Sequence, residues 1–84
     1  MNISQRYISI DPRICHGKPC IKGTRIMVST ILELLESGKS YREIRKGYPS
    51  VTLNHVRASL HFAHQIIERG PLLSFRSFPH AVSH

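Results

Sequence analysis

The chain reads as an α+β fold, mainly α: a short N-terminal β-hairpin followed by three helices, the last two paired as a helix-turn-helix. Three observations predict it. Residues 6–11, RYISID, alternate Tyr7, Ser9 and Asp11 against Ile8 and Ile10, which is the period of a half-buried strand. From Ser29 onward the apolar spacing lengthens to that of a helix. Helix-start signatures then recur at Thr30, Ser40 and Thr52. With 84 residues, one domain over residues 1–70 and a tail over 71–84 are expected.

Taken in order, Pro12 stops the first strand, and RICHGKPCIKGT, with Gly17, Pro19 and Gly23, forms an ordered loop. Arg25-Ile26-Met27-Val28 restores an apolar, partly β-branched stretch, predicted to pair with the first strand. A lone hairpin is marginal in water, so a helical layer or a second copy must cover it. Thr30 with Glu33 matches a capping box, and Ile31, Leu34 and Leu35 form one apolar stripe up to Gly38. Ser40 with Glu43 makes a second box, Ile44 faces inward, and Gly47 and Pro49 end that short helix.

Thr52 caps the longest helix, Leu53 to about Arg69, before Gly70-Pro71. Its apolar stripe is Leu53, Val56, Leu60, Ala63 and Ile67, the predicted core face. A second stripe, His55, Ser59, Phe62 and Ile66, calls for cover from the hairpin or another chain. The tail has no clear period, but Leu72, Leu73, Phe75 and Phe78 suit docking on a partner.

Composition narrows the function classes. Twelve Lys and Arg stand against five acids, for a formal net charge of +7, a balance that favours polyanions through counterion release. The apolar runs are too short to span a bilayer, so no membrane role is expected. The start MNISQRYISI lacks the basic and apolar regions of a signal peptide, which makes the cytoplasm the expected compartment. Cys15 and Cys20 are too few for a disulfide framework or a closed zinc site, so no metal and no cofactor are expected. The loop at Gly17–Thr24 departs from the Walker pattern: no lysine follows Gly23, and Pro19 removes an amide. No acid, cysteine or histidine is oriented for catalysis, so the chain is not read as an enzyme.

The helix pair carries the functional reading. Lys39, Arg42, Arg45 and Lys46 place positive charge on and beside the short helix, where such a unit crosses the phosphate backbone. Thr52 opens the long helix, whose free amides also favour phosphate. Asn54, Arg57, Ala58, His61 and Gln65 lie between the two apolar stripes. Asn suits adenine, Arg suits guanine and Ala suits a thymine methyl. The span from Gly47 to Thr52 is longer than a standard helix-turn-helix turn, so the turn alone does not set the angle. Lys18, Lys22 and Arg25 make a further basic cluster for DNA backbone or an acidic partner.

With those residues in view, the run from Ile8 to Ala63 resembles the domain-of-unknown-function (DUF) family four-three-three. The likeness rests on G-K-P-x-I-x-G-T-R-I-x-V at 17–28 and on Gly-x-Ser followed by E-I-x-x-x-Y-P-x-[LV]-T within 38–52. The resemblance implies a β-hairpin followed by a homeodomain-like helix-turn-helix. It also implies a VapB-type antitoxin that silences a PIN-like ribonuclease toxin and, as a homodimer, binds operator DNA to repress its own operon. Two other readings remain open: a basic protein-interaction module with no specific DNA binding, and a helix-turn-helix regulator without a toxin partner.

Overall fold

The computed structural model describes residues 1–70. It is mainly helical with one small antiparallel sheet: α1 (Ile3–Tyr7), β1 (Ile8–Ser9), β2 (Cys20–Ile21), α2 (Val28–Glu36), α3 (Tyr41–Gly47) and α4 (Leu53–Arg69). Helix α1 is not expected from the sequence pattern. Asn2 Oδ1 accepts from Gln5 N (2.9 Å) while Gln5 Oε1 accepts from Asn2 N (3.0 Å), a capping box that turns Arg6 and Tyr7 into helix. Only Ile8 and Ser9 of RYISID remain extended.

The strand partner also differs from expectation. Ile8 pairs with Ile21 and Ser9 with Cys20, so residues 20–21, not 25–28, complete the hairpin. The reason lies in the tight turn that follows. Thr24 Oγ1 donates to Ile21 O (2.8 Å) and accepts from Ile26 N (3.0 Å), and Gly23 adopts φ +81°. The chain therefore doubles back at once, leaving a single bridge between Cys20 and Met27, and Val28 is already helical. The Thr30–Glu33 capping box does not form, because both residues lie inside α2. A loop carbonyl serves α2 instead: Val28 N donates to Pro19 O (2.9 Å).

The remaining caps form as the sequence predicts. Gly38 takes φ +92°, and Gly38 N and Lys39 N donate to Leu35 O and Leu34 O (3.0 Å each), closing α2 in a Schellman motif. Ser40 and Glu43 make a reciprocal box on α3. Thr52 does the same on α4, with His55 Nδ1 in place of a carboxylate, accepting from Thr52 N at 2.9 Å. Val51 and Val56, flanking that cap, are both buried in the main cluster. They form a staple that fixes how the chain enters α4 despite the long connection.

The main cluster is Ile21, Ile31, Ile44, Val51 and Val56, and a second one joins Ile8, Val28 and Ala58. Of the two stripes of α4, it is the second that strand β1 and helix α1 cover, while the first stays largely open. Leu53, Leu60 and Ile67 are 52%, 50% and 65% exposed, and only Val56 of that stripe is buried. The packed side instead centres on Ala58 and Ser59, with His55 and Phe62 half-buried. Helix α1 and strand β1 lie across this side of α4, and small side chains let them approach closely.

Candidate nucleic-acid interface

Ile44 anchors α3 in the core with Tyr41 half-buried against the same cluster, and the charged residues of this short helix face solvent. Lys39, Arg42, Arg45 and Lys46 are all exposed. The acid among them, Glu43, is engaged by the cap. The backbone N–H of Ser40, and then its side chain, hold the Glu43 carboxyl below the usual carboxylate range. Arg42, Arg45 and Lys46 have no carboxylate within ion-pair distance among the described residues, where the charge pairs are Arg13–Asp11 and His64–Glu68. An unneutralised cationic face of this kind attracts polyanions at long range.

The amino end of α4 follows after residues 48–52, and Ile44 of α3 and Val56 of α4 share one core cluster. Thr52 is exposed, its hydroxyl committed to the cap. Asn54 and Arg57 are exposed and linked: Arg57 Nη1 donates to Asn54 Oδ1 (3.3 Å), and Asn54 Nδ2 donates to Tyr7 Oη (3.3 Å). Tyr7 packs edge-on against His55, with ring centroids 5.3 Å apart. His61 is half-buried, its ring 6.1 Å from that of His64.

Two sequence-predicted groove residues fall away. Ala58 is fully buried in the cluster with Ile8 and Val28 and cannot touch a base. Gln65 is held by Ser4, whose Oγ donates to Gln65 Oε1 at 2.6 Å. Both corrections share one cause, the unforeseen packing of α1 on α4. The same packing brings in a residue that sequence reasoning missed: Arg6, which lines one surface cleft with Tyr7, Asn54 and Arg57. The signal was available in the Asn2–Gln5 capping pattern, which makes residues 3–7 helical and places a cation in the last turn.

Lys18 is exposed on the loop between β1 and β2, and Lys22 and Arg25 on the turn between β2 and α2. Lys22 Nζ donates to Gln5 O (3.1 Å), tying the loop to α1. Cys20 is buried and Cys15 half-buried, both as free thiols. Burial first, then the neighbouring Cys15, push the Cys20 thiol up to about 11, so it is protonated and unreactive near neutrality. Among the described residues, no group of three His, Cys, Asp or Glu gathers to hold a metal, and no helix is long and apolar enough to cross a membrane. Leu72, Leu73, Phe75 and Phe78 lie outside the described residues.

Known proteins share this frame. Residues 8–63 match the family model described as protein of unknown function (DUF433). The fold is similar to the crystal structure of a DUF433 member protein from Anabaena variabilis ATCC 29413, with a TM-score of 0.69 and 32% sequence identity over 77% of this chain. The chain spans 64% of the length of that relative. No match was found among curated proteins. The family match alone extends over most of the described residues, from β1 into α4, and with the structural likeness it establishes that the chain belongs to the DUF433 family.

Proposed function

We propose that this protein is a DNA-binding antitoxin and repressor, with α3 and α4 acting as a helix-turn-helix. The observation that carries the reading is the exposed face of Arg42, Arg45 and Lys46, without carboxylate partners among the described residues, on the helix that precedes α4. In this arrangement α3 crosses the phosphate backbone and the first turns of α4 enter the major groove. Asn54 is the base-reading side chain at the amino end of α4, Arg57 is held beside it, and His61 lies one turn beyond Arg57. Homodimerisation uses the Leu53, Leu60 and Ile67 stripe, whose seven-residue spacing on an exposed face matches a helix–helix seam. Neutralisation of a PIN-like ribonuclease rests on the resemblance described above, and residues 71–84 and the Lys18, Lys22 and Arg25 loop are the surfaces assigned to that partner.

Replacing Arg42, Arg45 and Lys46 together by Gln tests the DNA half. Binding to the duplex upstream of the gene should weaken, and the slope of log affinity against log salt should fall by about 0.9 for each phosphate no longer neutralised. Wild-type protein that ignores duplex DNA at low salt would sink the proposal. That result would favour the second reading, a protein-interaction module. The observation on its side is the amount of apolar surface α4 leaves open at Leu53, Leu60 and Ile67.

A further inference from the structure

Where α1 meets the amino-terminal half of α4, the surface forms a cleft of about 270 Å³. Arg6 from α1 and Arg57 from α4 both line it, with Tyr7, Asn54 and Asn2. Neither arginine has a carboxylate partner among the described residues. Two like charges lining one cleft repel each other unless an anion lies between them. The chain nevertheless fastens the two helices together at this point. Tyr7 Oη accepts from Asn54 at 3.3 Å, and Asn54 in turn holds one amino group of Arg57.

We infer that this cleft is a phosphate subsite, with Arg6 and Arg57 as its two cationic arms. The donor inventory fits an oxyanion. Among the described residues, Arg57 uses one N–H on Asn54 and keeps the rest of its planar fork, and Arg6 keeps all of its own. Tyr7 Oη accepts from Asn54, so its O–H stays free to donate. A tetrahedral phosphate with several acceptor oxygens can take these donors at once, and the guanidinium forks suit it bidentately. The cleft is open to solvent, so a phosphate can enter it while the chain it belongs to continues outside.

In the nucleic-acid reading, on which this assignment rests, the ligand is a phosphodiester flanking the groove that Asn54 enters. Arg6 then clamps the backbone from α1, opposite Arg57 across the cleft. The same chemistry would also take free phosphate.

Full-length Arg6→Ala protein separates these cases. Both arginines are exposed, so thermal melts should match the wild type and folding does not confound the result. Binding should weaken about tenfold on operator and random duplex alike, with the salt slope lowered by about one. Arg6→Ala combined with Arg57→Ala should cost less than the product of the single losses on random duplex, since both act on the same phosphate. In parallel, inorganic phosphate is titrated while the arginine Nε and Tyr7 ring NMR signals are followed. The Arg6, Arg57 and Tyr7 signals should shift in the wild type, and the Tyr7 signal should stay still in the double variant.

If Arg6→Ala leaves DNA binding unchanged while the α3 triple variant loses it, the subsite is overturned and the nucleic-acid reading stands. If DNA never binds but phosphate moves the Arg6, Tyr7 and Arg57 signals, the subsite stands as a free-phosphate site and the nucleic-acid reading falls. Silence in both arms removes both.

Discussion

The two sides of α4 carry the opposite of what a hydrophobicity count assigns them. Ala58 and Ser59 are fully buried, while Leu53, Leu60 and Ile67 keep half or more of their surface in solvent. The difference arises from what lies opposite each side. Against Ala58 and Ser59 run α1 and β1, bringing Ile3, Tyr7 and Ile8, and a larger side chain would hold them off. Ser59 fits because its hydroxyl returns to the His55 carbonyl (2.9 Å), leaving no unsatisfied polar atom. Over Leu53, Leu60 and Ile67 the described chain covers at most about half of each side chain. Size on one side and a partner's absence on the other decide burial; apolarity alone does not.

The sharpest way to break this contrast is to exchange the two kinds of residue. Ala58→Leu should overpack the junction with β1 and cost about 1–3 kcal/mol, read from the urea midpoint at unchanged slope. Leu60→Ala should move monomer stability by about 0.5 kcal/mol or less. Its effect should fall on self-association, seen in sedimentation velocity as a shift towards monomer. Equal stability losses at the two positions would mean that Leu60 is covered within the chain and that the exposed stripe is not an interface.

The same contrast explains which parts of the molecule could be read from the sequence. The boundaries of α3 and α4 follow from bonds between residues three apart, Ser40 with Glu43 and Thr52 with His55, and such patterns are visible in any sequence. The cationic face of α3 was legible for the same reason, since Ile44 alone had to point inward. The strand pairing and the start of α2 were not. They depend on Thr24 closing a tight turn and on Pro19 supplying a carbonyl to Val28 nine positions later. Longer still is the Ser4–Gln65 bond, which spans most of the chain, and with it went the placement of Ala58, Gln65 and Arg6. Local chemistry fixed the helices; docking of α1 chose which of their residues remained free for a ligand.

A smaller effect separates a working cap from an apparent one. Thr52→Ala removes the acceptor for His55 N and should cost about 1 kcal/mol, within the usual 0.5–2 kcal/mol for a lost cap. Thr30→Ala, at the sequence match that lies inside α2, should leave stability unchanged or raise it by a few tenths of a kcal/mol. Chemical denaturation of the two variants checks both. A comparable loss at Thr30 would indicate that the first turn of α2 uses that hydroxyl.

The smallest effect is a pH dependence confined to the α3 cap. Glu43 accepts the Ser40 backbone N–H at 2.8 Å, and this bond holds its carboxyl below the usual glutamate value of 4.5. A carboxyl depressed in the folded state binds its proton more weakly there than in the unfolded chain. Its contribution is therefore complete above pH 4.5 and is lost as pH falls through the depressed folded value. Glu43→Gln keeps an acceptor for the cap but removes the charge, so the urea midpoints of the two proteins should differ at pH 7 and converge as the solution is acidified. Asp11, held low by Arg13, is present in both proteins and cancels from the comparison. A gap that stays constant from pH 7 to below that window would mean the Glu43 charge contributes nothing through the cap. It would then fall to α3's burial of Ile44, rather than its electrostatics, to hold the cationic face in place.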